Sequence, residues 1–164
     1  MNAYETTLAR RSVRKYKSDP VARALLEQII DAARLAPTAR NEQPWEFVVV
    51  TDEAKRREIA GIANKNGPFI ADAPACVVVL CKPSAYYLED GSAATTQLMI
   101  AATALGLGTC WIAGDKKPYA EAVVDAVGAP PEMKLVALVA VGYAADVPAP
   151  TKRALDDVLH WERY

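Results

Sequence analysis

The stretch Asp90-Gly91-Ser92-Ala93-Ala94-Thr95-Thr96-Gln97-Leu98-Met99-Ile100-Ala101-Ala102-Thr103-Ala104-Leu105-Gly106-Leu107-Gly108-Thr109-Cys110-Trp111-Ile112 decides how this chain folds. From about Asp90 to Leu105, small or apolar residues surround nearly the whole circumference of a helix, so the helix must be enclosed on all sides. A chain of 164 residues struggles to do that alone. A subunit interface supplies the missing cover most economically, because an obligate interface resembles a core cut in two. Gly106 and Gly108 then stop the helix and release a short strand, Thr109–Ile112. A dinucleotide fingerprint would need glycine where Trp111 stands, and would follow a strand rather than a helix.

Working outward, Ala75–Cys81 is continuously apolar and β-branched, as expected of a mid-sheet strand covered on both faces. In Trp45–Thr51, Trp45, Phe47 and Val49 alternate with Glu46, Val48 and Val50, which predicts a strand with one face more buried than the other. Leu135–Val141 is the last buried strand. Helices are expected over residues 3–9, from Pro20 to Pro37 with Ser18 or Asp19 as cap, over Glu53–Ala63, and over Tyr119–Val127 before Gly128. A tail with Pro148 and Pro150 leads to a closing helical turn at Leu155–Leu159.

The composition is globular, with 52% hydrophobic and 24% charged residues, and one domain spanning 1–164 is the default. A net charge of −1 argues against nucleic acid as the main partner. No apolar run suits a membrane span and no signal-peptide order opens the chain, so a cytoplasmic location is expected. Cys76, Cys81 and Cys110 sit in apolar segments and are read as buried free thiols. With His160 the single histidine and no metal-ligand spacing, no metal site is expected, and whatever chemistry occurs is borrowed from a cofactor.

Four segments carry candidate chemistry. Arg10-Arg11-Ser12-Val13-Arg14 places three guanidiniums and a hydroxyl within five residues, a match to phosphate oxygens whose alternative is a solvated basic turn. Pro37–Pro44 is an irregular polar loop able to present groups to a heteroaromatic edge, or a plain connector. Ala113-Gly114 ends a strand where backbone N–H can approach a ligand, glycine having no side chain in the way. Lys152-Arg153 either converges with the first cluster on one anion or belongs to a solvated tail.

Taken in this order, the segments resemble the FMN-dependent nitroreductase family over nearly the whole chain. The arginine-rich start, the polar loop before Gln43-Pro44-Trp45, the run Ala104 to Trp111 and the closing His160-Trp161-Glu162-Arg163-Tyr164 carry the likeness. The resemblance implies an α+β fold, a central mixed β-sheet flanked by helices, dimeric through the long helix, with the tail at about 144–164 able to reach across the partner. It implies that Arg10, Arg11, Ser12 and Arg14 hold the FMN phosphate and that Lys152 or Arg153 completes the neutralisation. Asn66 would lie against the pyrimidine edge, while Ala113-Gly114 would supply backbone near the flavin N5. Pro37, Thr38 and Asn41 would come from the other subunit.

No side chain need be a catalytic nucleophile, because the chemistry would reside at N5 of the FMN. The implied activity is ping-pong hydride transfer from NADH or NADPH, a transient donor, to a small organic acceptor such as a nitroaromatic or quinone. A cation, Arg14 before Arg10, would favour the reduced flavin. The alternatives are a specialised flavin chemistry on the same scaffold and a non-catalytic FMN carrier or sensor. Only Lys82 to Glu89 separate the second strand from the long helix, where larger members carry a helical excursion over the flavin, so a more open site is expected.

Overall fold

A computed structural model describes residues 1–164. Four strands, β1 (Trp45–Val50), β2 (Ala75–Cys81), β3 (Gly108–Ala113) and β4 (Lys134–Gly142), form one sheet in the order β1-β2-β4-β3. Helices α1 (Ala3–Ala9), α2 (Arg23–Ala33), α3 (Glu53–Ala63), α4 (Tyr87–Ala104) and α5 (Ala120–Ala126) surround it. The α+β class and the flanked central sheet are as expected. The pairing is more uniform than a mixed sheet, because every strand pair is antiparallel and parallel pairing is confined to the isolated bridge Ser12–Thr109.

Strand β2 shows why two layers of helix are needed. Its side chains alternate across the sheet, so Ala75, Val77, Val79 and Cys81 pack towards α2 and α4, while Cys76, Val78 and Leu80 pack towards α3 and α5. Every residue of β2 is buried, and the three cysteines are buried free thiols. On β1 the expected alternation fades along the strand. Trp45 is buried, Phe47 is half-buried and Val49 is exposed, because β1 is an outer strand and its far end lacks a covering neighbour.

Helix α2 begins at Arg23, later than Pro20 suggests, with Ala22 as an uncapped start. Helix α4 begins at Tyr87, earlier than Asp90, which shortens the link from β2 to Lys82–Tyr86. Its end is a Schellman turn. Gly106 takes φ 78°, Gly106 N–H donates to Thr103 O at 3.1 Å and Leu107 N–H donates to Ala102 O at 2.8 Å. Glycine is needed there because the left-handed region penalises a Cβ.

Towards the sheet and α2, helix α4 buries Gly91, Ala94, Thr95, Leu98, Met99 and Ala102. On its remaining surface Ala93, Ile100 and Ala101 are half-buried and Ala104 is exposed, so one chain does not enclose the helix. Beyond Ala144 the tail lies largely in solvent: residues 151–164 are all exposed, including Leu155, Val158, Leu159 and Trp161. No helix is long and apolar enough to cross a membrane.

Candidate functional site

Helix α1 delivers the arginine segment to the open edge of β3. A capping box, in which Glu5 N–H donates to Asn2 Oδ1 at 2.9 Å and Asn2 N–H donates to Glu5 Oε2 at 2.9 Å, fixes the helix start. Arg10 stands at its end. From there the chain runs extended beside β3, with Val13 N–H donating to Thr109 O at 2.9 Å and Lys17 N–H to Tyr143 O at 2.9 Å. The Tyr16 hydroxyl donates to Val13 O at 2.6 Å. Burial raises that phenol's pKa, so it stays a neutral donor. Val13 is buried; in extended backbone its neighbours Ser12 and Arg14 therefore face the opposite way, outward.

None of Arg10, Arg11 or Arg14 forms an ion pair with a carboxylate. Arg11 donates only to the backbone of Leu8, at 2.6 Å, and of Arg10, at 2.9 Å, and Arg14 to Ser12 O at 3.4 Å. Burial pushes the Cys110 thiol up, while the charges of Arg14 and Arg10 pull it the other way. Thr109, bridged to Ser12, has a buried hydroxyl with no partner. The arrangement is a concentrated, uncompensated positive edge with hydroxyls nearby, and it suits a dianionic phosphate.

The far end of β3 carries the other candidates. Gly67 packs so tightly that a Cβ there would meet Ile112 Cγ1 at 3.1 Å, which holds Asn66 beside the strand end. Asn66 is exposed, and its Nδ2 donates to Ala63 O at 3.0 Å. Phe69 follows, its ring 6.0 Å from the Arg14 guanidinium. Arg10 to Arg14, Asn66 and Ala113 thus share one sheet edge.

Ala113 and Gly114 differ in what their backbone offers at this strand end. Gly114 N–H donates to Val136 O at 3.2 Å and is not free for a ligand. Its lack of a side chain answers to packing, since a Cβ would stand 2.5 Å from Leu135 Cγ. Bonded and non-bonded pairs alternate along an antiparallel ladder, so Ala113, paired with Ala137, turns its N–H away from β4 over the open edge. Ala113 is the outward donor. Its carbonyl accepts from the Tyr119 hydroxyl, and burial raises that phenol's pKa.

Two expected contributors stay apart from this edge within one chain. Pro37, Thr38 and Asn41 lie in the loop before β1, the opposite outer strand, roughly three strand spacings or ~14 Å across the sheet. Lys152 and Arg153 are exposed on the tail, where Arg153 donates to Asp157 O, and no hydrogen bond or ion pair joins them to the arginine segment. A groove of about 760 Å³ lies elsewhere again, between α2 and the open edge of β1 at Val21, Leu26, Ile30 and Val49.

The profile described as Nitroreductase family matches residues 7–75 and 61–143, a span that includes the arginine segment, the polar loop and β3. The chain belongs to the nitroreductase family. A protein of Archaeoglobus fulgidus, provisionally named an NADH dehydrogenase/NAD(P)H nitroreductase, is 34% identical over 84% of this chain and 82% of its own. The oxygen-insensitive NADPH nitroreductase of Helicobacter pylori J99 is 26% identical over 83% of this chain and 84% of its own. Among solved structures, the FMN-dependent nitroreductase of Clostridium difficile R20291 superposes with a TM-score of 0.91, at 26% identity, over 97% of this nitroreductase-family chain and 98% of its own.

Two residues at the start of α4 escaped the sequence reading. Tyr87 donates its hydroxyl to Asp115 Oδ1 at 2.7 Å, tying the helix to the residue that follows Gly114. Asp90, 5% exposed, accepts from Thr38 Oγ1 at 2.7 Å and from Ala39 N–H at 3.0 Å. Asp90 is the one charged residue from 90 to 112, and that isolation was the available signal. Pattern alone makes it the start of the helix. The loop it holds carries Arg40, Asn41 and Gln43 at φ of 52°, 59° and 49°, a left-handed region that costs roughly 1–2 kcal/mol for a residue with a Cβ.

Proposed function

We propose that the protein is an FMN-dependent oxidoreductase that takes hydride from NADH or NADPH and delivers it to a small organic acceptor, a nitroaromatic or quinone, as a homodimer. The observation that carries this reading is the open edge of β3. Ser12 bridges Thr109 near one end with the unpaired Arg10 and Arg11 next to it in the chain, Arg14 lies further along the edge beside Phe69, and the outward Ala113 N–H and exposed Asn66 stand at the other end. FMN has the same polarity, a phosphate at one end and a hydrogen-bonding heteroaromatic at the other. Arg10, Arg11, Ser12 and Arg14 would hold the phosphate, Asn66 the pyrimidine edge, and Ala113 N–H the region of N5.

When bound, FMN supplies the redox chemistry, hydride uptake from the nicotinamide and its return to the acceptor. The chain's own residues bind, orient and set the local charge. Arg14, close to Phe69 and free of any carboxylate, is placed to favour negative charge on the ring system. The short Lys82–Tyr86 link carries no covering excursion, and an exposed face that donor and acceptor would occupy in turn supports the ping-pong reading.

The half-buried face of α4, the exposed Tyr4 and Leu8 of α1 and the apolar tail together supply what a second copy would cover. The tail then reaches across the partner and brings Lys152 and Arg153 to a phosphate, and the Pro37–Pro44 loop of each copy approaches the other's flavin.

Anaerobic mixing of the flavin-loaded protein with NADH and NADPH tests the reading. Bleaching of the flavin band followed by recovery on adding a nitroaromatic supports it, whereas flavin that stays oxidised points to a carrier or sensor. Rapid bleaching with no turnover of nitroaromatics or quinones would point to a specialised chemistry.

A further inference from the structure

The loop before β1 is held in an unfavourable backbone by a buried carboxylate that the functional reading leaves unused. Both oxygens of Asp90 are engaged, Oδ2 by the Thr38 hydroxyl at 2.7 Å and Oδ1 by Ala39 N–H at 3.0 Å. The Thr38 hydroxyl also accepts from Gln43 N–H at 3.1 Å, closing a ring across residues 38–43. Asp90 itself is locked in α4, its N–H donating to Tyr86 O at 2.9 Å. The loop's shape therefore follows from the position of the helix.

Inside the ring three residues occupy the left-handed region. Asparagine tolerates it, but Arg40 and Gln43 have no intrinsic reason to be there. Nor does packing explain it, since the residues from Arg40 to Gln43 are all exposed. Strain enforced from a buried anchor and displayed on an exposed polar turn marks a segment shaped for something it meets. Thr38, whose hydroxyl is consumed internally, transmits that shape and does not itself offer a contact.

We propose that Asp90 is a positioning residue: through Thr38 and Ala39 it fixes the turn Arg40–Gln43 in the form that meets the flavin edge held by a second copy. This inference rests on the FMN-bound homodimer described above. Asp90 touches no ligand. It acts by removing alternative loop conformations before binding, which strengthens association without a new contact.

The test titrates flavin-free protein with FMN, followed by flavin fluorescence, and measures the bound flavin's midpoint potential. Wild type is compared with Asp90→Ala, Thr38→Val, the double variant and Thr38→Ser, with circular dichroism and sedimentation reporting fold and dimer. Asp90→Ala and Thr38→Val should each weaken FMN by roughly tenfold and shift the potential, and the double variant should be no worse than Asp90→Ala alone, the signature of two residues acting as one unit. Thr38→Ser, which keeps the hydroxyl and folds most conservatively, should restore wild-type affinity and potential. Variants that are folded and dimeric with unchanged affinity and potential overturn the proposal while leaving the functional reading intact. Additive losses in the double variant, or Thr38→Ser behaving like Thr38→Val, overturn it as well. If the wild type binds no FMN, the functional reading falls first and the proposal with it.

Discussion

Gly108 lies so close beneath Val13 that a Cβ at position 108 would stand 2.8 Å from Val13 Cγ2 and 3.0 Å from Val13 Cβ. Val13 cannot retreat freely, because its N–H is bonded to Thr109 O. The glycine that ends the Ala104–Gly108 run is therefore what lets the arginine segment lie flat against β3. Gly108→Ala should destabilise the fold by about 1–3 kcal/mol through overpacking and weaken FMN by displacing Ser12 and Arg14. Urea unfolding with FMN titration checks both, and adding Val13→Ala should recover much of the loss. Full stability in the single variant would mean that the segment has room to move.

The Tyr87–Asp115 bond gives a pH signature. The Asp115 hydrogen bond, then burial, push the Tyr87 phenol up to about 12, against roughly 10 in an unfolded chain. Because the folded state holds the proton more tightly, this contribution is complete below pH ~10 and is lost as pH rises towards 12. Tyr87→Phe should cost about 1 kcal/mol at neutral pH, a difference from wild type that shrinks across that alkaline window. Denaturant unfolding of both proteins from pH 7 to 11.5 measures it, and a pH-independent difference would show that the proton on this hydroxyl is not what matters.

Removing residues 147–164 should leave the body folded, since most of that segment is exposed and the chain after Thr151 entirely so. The far-ultraviolet circular dichroism should change little. Sedimentation should show a weakened dimer, and FMN affinity should fall because Lys152 and Arg153 go with the tail. A truncated protein that dimerises and binds FMN as well as the full chain would remove the tail from the account.

The elements were largely legible because periodicity and punctuation agreed. The continuous apolar run of β2 reads as a strand covered on both faces, and Gly106 and Gly128 stop their helices where the sequence places them, both in the left-handed conformation. Edges and tertiary bonds were not legible. Val49 looks as apolar as Val77, but it lies on an outer strand with a neighbour on one side only, which local pattern does not encode. The free donor at the end of β3 is Ala113 and not Gly114, because ladder parity depends on the register with β4. Asp90 reads as an ordinary helix-start residue until the loop 52 positions away, at Thr38, is seen to close on it.

The most direct measurement is a titration of flavin-free wild-type protein and of the Arg10→Ala/Arg11→Ala double variant with FMN, alongside sedimentation of both. Wild type should bind one FMN per chain, and the variant should lose that binding while remaining a folded dimer. A variant that binds FMN as tightly as wild type, or a wild type that binds none, would contradict the assignment of the β3 edge as the phosphate end of a flavin site.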